Sequence, residues 1–370
     1  MNNDSTIKTQ AGITFLPKLN SRLYLPLIEA CGGIEGFFLE NETALNALYA
    51  EFHLKKDSFN RKQALERAEK ELEYIDRYAI QVCSTEHSQY PFLLNQCEDA
   101  PLVFYYKGRL SPDELTYLAI VGTRKASERC RLRVENILGE LHSLCPALVV
   151  VSGLAFGIDI TAHQACLKYG IPTYAVLGHG LNIIYPAAHK NTAEKILSQG
   201  GALISEFPCQ SPIFPVNFLQ RNRIIAGLCQ ATFVAESAIK GGAMATARMA
   251  QSYSREIITL PGRPEDKMSS GCNLLIKQNI AALIENGEDI ARILGIHIPI
   301  PPVKGETLNL FGDLENETLV LNALTEQGSM NTDQLSIHTR IPVHELSALL
   351  TQLELEEKIL SLPGKNYMIK

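Results

Sequence analysis

Hydrophobic residues along this 370-residue chain change their spacing twice. Over the first 80 residues they recur at helical intervals. The segments are Leu23 to Cys31, a break at Gly32-Gly33, a stretch opened by Asn41 and Glu42, and a long polar helix from about Ser58 to Tyr78. That last helix carries Leu65, Leu72 and Ile75 as a thin apolar stripe, with Glu66 and Lys70 paired four residues apart. From about Leu102 short β-branched runs alternate with helical ones: Leu118 to Val121, Leu148 to Val151, Thr173 to Leu177, Ala202 to Ser205, Thr232 to Ala235 and Glu256 to Leu260. Continuous apolar strands separated by helices predict a parallel sheet covered on both faces.

The second change comes at Ile298-Pro299-Ile300-Pro301-Pro302, where proline disfavours both helix and central strand. Beyond it the pattern predicts helices over Glu317 to Glu326, from Asn331 or Thr332, and over Val343 to Glu356. A hairpin follows, Lys358 to Leu362 and Tyr367 to Ile369 around Pro363-Gly364-Lys365-Asn366. Three helices and a hairpin make a winged helix. The expected fold class is α/β: a Rossmann-like parallel sheet core with an N-terminal helical domain and a C-terminal winged-helix domain. The expected divisions are a helical domain (helix-hairpin-helix or SAM-like) over 1–80, the Rossmann-like domain over 81–297, a proline-rich linker over 298–312 and the winged helix over 313–370. Two readings of Gly32-Gly33-Ile34-Glu35-Gly36 stand: a helix-hairpin-helix turn whose amides meet phosphate, and a plain interhelical turn.

Composition narrows the class. With 46% hydrophobic and 20% charged residues the chain is too apolar for disorder, and no run reaches the roughly 18 apolar residues of a membrane span. The start lacks the basic and apolar regions of a signal peptide, so a cytoplasmic protein with no membrane partner is expected. Nine cysteines include no C-x-x-C pair; buried thiols are expected, with no disulfide framework and no metal site. The net charge of −6 divides into −2 over residues 1–80, +1 over 81–303 and −5 over 304–370. A polyanion therefore suits the centre and not the tail.

Glycines fall where the predicted strands end: Gly122, Gly153 and Gly157, Gly178 and Gly180, Gly241-Gly242, and Gly262. In an open α/β sheet the carboxyl ends of the strands face the ligand crevice, and glycine lets helix N-terminal amides approach phosphate. A G-x-G-x-x-G fingerprint fails because Ile183 stands where its last glycine belongs, and no P-loop motif occurs. No cofactor is expected. The same rim carries Arg124, Lys125, Lys190, Arg221 and Arg223. Arg221-Asn222-Arg223 beside Ile224-Ile225 is costly to bury unless the guanidinium groups meet anions, either phosphates or an internal carboxylate such as Glu206 or Glu236. Cations interleaved with Phe156, Tyr185 and Phe218 match what single-stranded nucleic acid requires, although each ring also reads as ordinary core. Asp159 and His163 read as an acid-base or metal pair, or as a cap and a structural histidine. The G-x-S-x-G elbow of hydrolases is absent.

Taken in order, Val121-Gly122-Thr123-Arg124, Ser152 to Asp159 with Ala162-His163, Gly178-His179-Gly180 with Tyr185-Pro186, Ser205-Glu206, Arg221-Asn222-Arg223-Ile224-Ile225-Ala226-Gly227-Leu228, Pro261-Gly262 and Gly271 to Ile276 resemble the DNA-processing protein A (DprA/Smf) family. The resemblance spans the central domain, and the acidic winged helix is similar to that family's accessory domain. It implies a non-enzymatic, dimeric protein that binds and protects incoming single-stranded DNA and helps load RecA recombinase during natural transformation and recombination. It implies a DNA pocket of Arg124, the loop Gly153 to Gly157 with Phe156, Lys190 and the segment Phe218 to Arg223 with Arg221 and Asn222, and the rim reading adds Lys125, Gly178, Gly180 and Gly242 as expected DNA-binding residues. The apolar Leu274, Leu275, Ile276 and Ile280 read as core or as a dimer face, and the resemblance favours the face. The chain departs from the family at Leu219, where a proline is usual, and at Gly241 to Ala247, where S-G-S-L-I-T-A is usual. Backbone amides are left for phosphate there. The competing expectation is a Rossmann-like nucleotide-binding or nucleoside monophosphate phosphoribohydrolase-type enzyme. Its P-G-G-x-G-T-x-x-E motif is broken here by Arg263 and by Leu275 in place of the glutamate.

Overall fold

A computed structural model describes residues 2–17, 22–54, 59–112, 114–209, 211–296, 314–362 and 364–370. Two compact units emerge, Met1–Ile298 and Pro299–Lys370. The expected linker over 298–312 lies outside the described residues.

The first unit is organised on a nine-stranded sheet: β1 (Gln81–Ser84), β2 (Val103–Gly108), β3 (Thr116–Val121), β4 (Leu148–Ser152), β5 (Thr173–Val176), β6 (Ala202–Ser205), β7 (Ala231–Val234), β8 (Glu256–Thr259) and β9 (Ala282–Leu283). Their order is β1-β2-β6-β5-β4-β3-β7-β8-β9. The strands β3 to β9 run parallel; β1 and β2 add an antiparallel edge that hydropathy alone did not separate from the preceding helices. Alternate side chains of the parallel strands enter two cores. Leu118, Ile120, Val150 and Phe233 meet the helices Glu128–Leu144 and Ile158–Tyr169 on one face. Ala119, Val121, Val151 and Val176 meet the helices Pro215–Gly227 and Gly242–Ser252 on the other. Burial on both faces is why these strands read as unbroken apolar runs.

Strand β3 is the pivot. The chain moves outward through β4, β5 and β6 on one side, then returns to lay β7, β8 and β9 on the other. The helices that follow β3 and β7 therefore go to opposite faces, and the diverging loops open a crevice at the carboxyl ends.

The helices of the first 80 residues are continuous with this unit. Ala11, Ala68 and Ile75 share a core with Tyr105, Ala175 and Leu177 of the sheet. Helix Asn2–Ile13 was not expected, because its sequence is polar; it buries Thr9 and Gln10 as well as Ala11 and Ile13, so tertiary packing overrides a weak pattern. In the second unit the helices Leu314–Gln327, Thr332–Thr339 and Val343–Leu355 pack with β10 (Ser329–Asn331), β11 (Ile359–Leu362) and β12 (Asn366–Ile369), paired in the order β10-β12-β11. Asn331 starts the second helix with a capping box to Gln334. Val320, Leu335, Leu346 and Leu353 form the core of a winged helix.

Candidate nucleic-acid interface

The carboxyl ends of the parallel strands carry the candidate rim. Its framework is the loop Gly153 to Gly157 after β4, held from three directions. Arg221, on helix Pro215–Gly227, is only 3% exposed; it donates to the carbonyls of Gly153, at 2.8 Å, and Val176. His189 donates from Nδ1 to the Leu154 carbonyl at 2.7 Å. Ile158 N–H, just past the loop, donates to the Thr123 carbonyl at 3.2 Å and so ties it to the loop after β3.

Three features show how tightly the loop is set. A side chain at Gly153 would meet the Arg221 guanidinium and Asp159 Oδ2, each at about 2.6 Å. Gly157 takes φ 80° with its α-carbon against Thr123 and Arg124, where a β-carbon would collide with their backbone. Leu154 sits at φ 56° although it is not glycine, fully buried and with its carbonyl claimed by His189.

Burying Arg221 requires an anion, and Asp159 supplies it. Asp159 is 8% exposed, accepts from the Ala155 amide at 3.4 Å, and lies close enough for mutual stabilisation of the two charges. Desolvation still dominates: it holds Asp159 above the usual carboxylate range and Arg221 down to about 10. Arg223 is paired with buried Glu206. Of the two alternatives that the sequence leaves open, Arg223 takes the internal carboxylate, Glu206, whereas Arg221 clamps the loop beside Asp159; neither guanidinium is an exposed phosphate contact. Glu236 accepts from the Ser127 amide at 2.8 Å and is paired with neither.

His163 is structural. Its Nδ1 donates to Thr173 Oγ1 at 2.8 Å, since that hydroxyl donates onward to the Val150 carbonyl. Full burial, reinforced by Arg221 and His189, pushes its pKa down to about 3. As pH falls below about 6.5 the unfolded chain takes up the proton first. This histidine therefore withdraws stability at about 1.4 kcal/mol per pH unit as pH drops from about 6.5 toward 3. Urea unfolding between about pH 7 and 5 should show a steeper acid loss for the natural protein than for His163→Gln. Parallel pH dependences would mean that His163 titrates normally.

Around this framework stand the exposed groups. Arg124 and Lys125 follow β3, and Lys190 opens the helix Lys190–Ser198; all three are exposed and form no ion pair among the described residues. The Arg124 guanidinium lies 5.9 Å from the Phe218 ring, which lies 5.8 Å from Tyr185. Phe156 meets His189 edge-on at 4.7 Å and, like Tyr185, is half exposed. Phe214 precedes Pro215 at the helix start and is 54% exposed, a ring that the sequence reading passed over although proline at a first helical position marks that boundary. Asn222 is half-buried and Gly242 is exposed at the start of helix Gly242–Ser252. Gly178 and Gly180 are buried, where a β-carbon would press on Phe218 or the Cys209 backbone, so they serve close packing.

The sequence profile of DNA recombination-mediator protein A matches residues 81–295, and that of the DprA winged helix domain matches residues 312–365. The chain belongs to the DprA/Smf family. The DNA processing protein DprA of Streptococcus pneumoniae is 38% identical over 201 residues, which cover 54% of this chain and 70% of that relative. The X-ray structure of DprA from the same species superposes with a TM-score of 0.64 at 29% identity, covering 79% of this chain and 98% of the other. A structure of Helicobacter pylori DNA processing protein A, described for its single-stranded DNA binding mode, gives a TM-score of 0.52 at 28% identity and covers 59% and 98%.

The DprA resemblance also placed a dimer face late in the central domain. There Leu275 is 3% exposed and belongs to the protein's own core, while Leu274, Ile276 and Ile280 are half-buried. Ala282 and Leu283, which form the edge strand β9, are exposed apolar residues nearby.

Proposed function

We propose that this protein binds single-stranded DNA along the carboxyl ends of its parallel strands, with little base preference. In this reading it serves incoming DNA during transformation and recombination without performing covalent chemistry. The observation that carries it is the half-exposed rings of Phe156, Tyr185 and Phe214 on the same rim as Arg124, Lys125 and Lys190. Rings stack on any base while unpaired cations track the phosphates. The substrate class of the Helicobacter pylori relative supports the same choice. A phosphoribohydrolase reading finds less support, because Asp159, Glu206 and Glu236 are committed to Arg221, Arg223 and the Ser127 amide. Labelled oligothymidine and a duplex of equal length, titrated at two salt concentrations, test the proposal. Preference for the single strand with a salt-dependent affinity is expected; equal binding to both would overturn it.

The proposal extends to a homodimer, tested by light scattering, and to loading of RecA recombinase, tested by filament assembly on coated strands. The winged helix is given no share in DNA binding. Glu345, Glu354, Glu356 and Glu357 are exposed on and after its third helix, and Lys358 is taken up by Glu317 and Glu356. A chain ending before Pro299 should keep its single-strand affinity within tenfold, about 1.4 kcal/mol. A larger loss from a folded truncated chain would show that the tail holds DNA.

A further inference from the structure

A second groove opens on the other side of the loop Gly122 to Ser127. Its volume is about 980 Å³, and it lies at the carboxyl ends of β7 and β8, between the outer face of helix Glu128–Leu144 and the segment Leu260 to Ser269. It adjoins the strand-order reversal between β3 and β7, the place where open α/β sheets receive ligands. Arg129, Leu132, Arg133 and Asn136 line one wall at intervals of three, one and three residues, so they form one helical stripe. Arg263 lines the opposite wall.

The charges in this groove are unequally engaged. Glu236 is spent on the Ser127 amide, and Asp266 accepts from the Met268 amide and the Ser269 hydroxyl. The guanidinium groups of Arg129 and Arg263 have no hydrogen bond or ion pair among the described residues, and that of Arg133 reaches the Glu285 carbonyl. Glu285 is the one lining carboxylate without a partner, against three guanidinium groups. The helix end itself is closed to a ligand phosphate, because Glu236 already occupies it. Cations along a helix flank, with no glycine-rich cradle, suit a chain of phosphates that runs past them better than one terminal phosphate held at a point.

We infer that this groove is a second segment of the single-strand path, entered over Arg124 and Lys125, with Arg129, Arg133 and Arg263 holding sugar-phosphate backbone. The inference rests on the proposed single-strand function of the rim. It predicts that the strand bends across the loop after β3 and that affinity continues to rise once an oligonucleotide is longer than the rim can hold.

The test is affinity against oligothymidine length for the full chain and for the triple variant Arg129→Ala, Arg133→Ala, Arg263→Ala. The substituted side chains are exposed on the surface, so the fold should be kept, and circular dichroism of the variant checks this. The shortest strands should bind both proteins alike. The longest should bind the variant at least tenfold more weakly, with the logarithmic salt slope reduced by about 2, as three lost single-strand phosphate contacts require. Coincident length curves would overturn the inference and leave the rim intact, and so would an equal loss at every length. Failure of the unaltered chain to bind any single strand would instead overturn the rim reading along with it.

Discussion

Arg221→Ala should destabilise the first unit by about 3–5 kcal/mol, the cost of leaving a buried charge without its partner. Asp159 would remain buried without its counter-ion, and the carbonyls of Gly153 and Val176 would lose their donor. The loop Gly153 to Gly157 would lose one of its three ties, so single-strand affinity should fall even where the fold persists. Urea unfolding measures the first effect. A double variant, Arg221→Met with Asp159→Asn, should cost less than the single changes combined, because neither charge is then left alone. Strict additivity, or a loss below about 1 kcal/mol for Arg221→Ala, would mean that the guanidinium and carboxylate do not depend on each other.

Phe156→Ala should weaken single-strand binding by about 1–3 kcal/mol, roughly five- to 150-fold, as expected for loss of one stacking platform. The ring is half exposed and meets His189 edge-on, so stability should change little. Phe156→Tyr should retain most of the affinity, whereas Phe156→Leu, apolar but without a π face, should not. Arg124→Ala should also weaken binding, but with a flatter salt dependence, because a phosphate contact rather than a stack is lost. Fluorescence anisotropy at two salt concentrations separates the two signatures. If Leu served as well as Tyr at position 156, the contact would be hydrophobic and the stacking account would fail.

The parts of this molecule legible from its sequence are those governed by local pattern. The six parallel strands from β3 to β8 read clearly because burial on both faces makes each a continuous apolar run. Helix Glu42–Glu51 announced itself through its Asn41 cap, and the winged helix through three spaced helices and a Pro-Gly turn. Less visible were elements defined by partners far along the chain. Strands β1 and β2 pair antiparallel at the sheet edge, and helix Asn2–Ile13 owes its existence to the surface it covers. The rim shows the same division. Its cations and glycines could be picked out, but sequence could not tell exposed Arg124 from buried Arg221, because Asp159 lies 62 positions before Arg221 and meets it only through the sheet. Glycines read as phosphate cradles proved in part to be packing positions, since Gly178 gives way to Phe218 and Gly153 to Arg221.

The most direct measurement of the central claim is ultraviolet cross-linking of oligothymidine to the full chain, followed by mass spectrometry of the nucleotide-bearing peptides. Adducts should concentrate on Phe156, Tyr185 and Phe214, the exposed rings of the rim, and should fade when excess unlabelled strand competes. Adducts confined to residues 314–370, or spread over the surface without regard to these rings, would contradict the account.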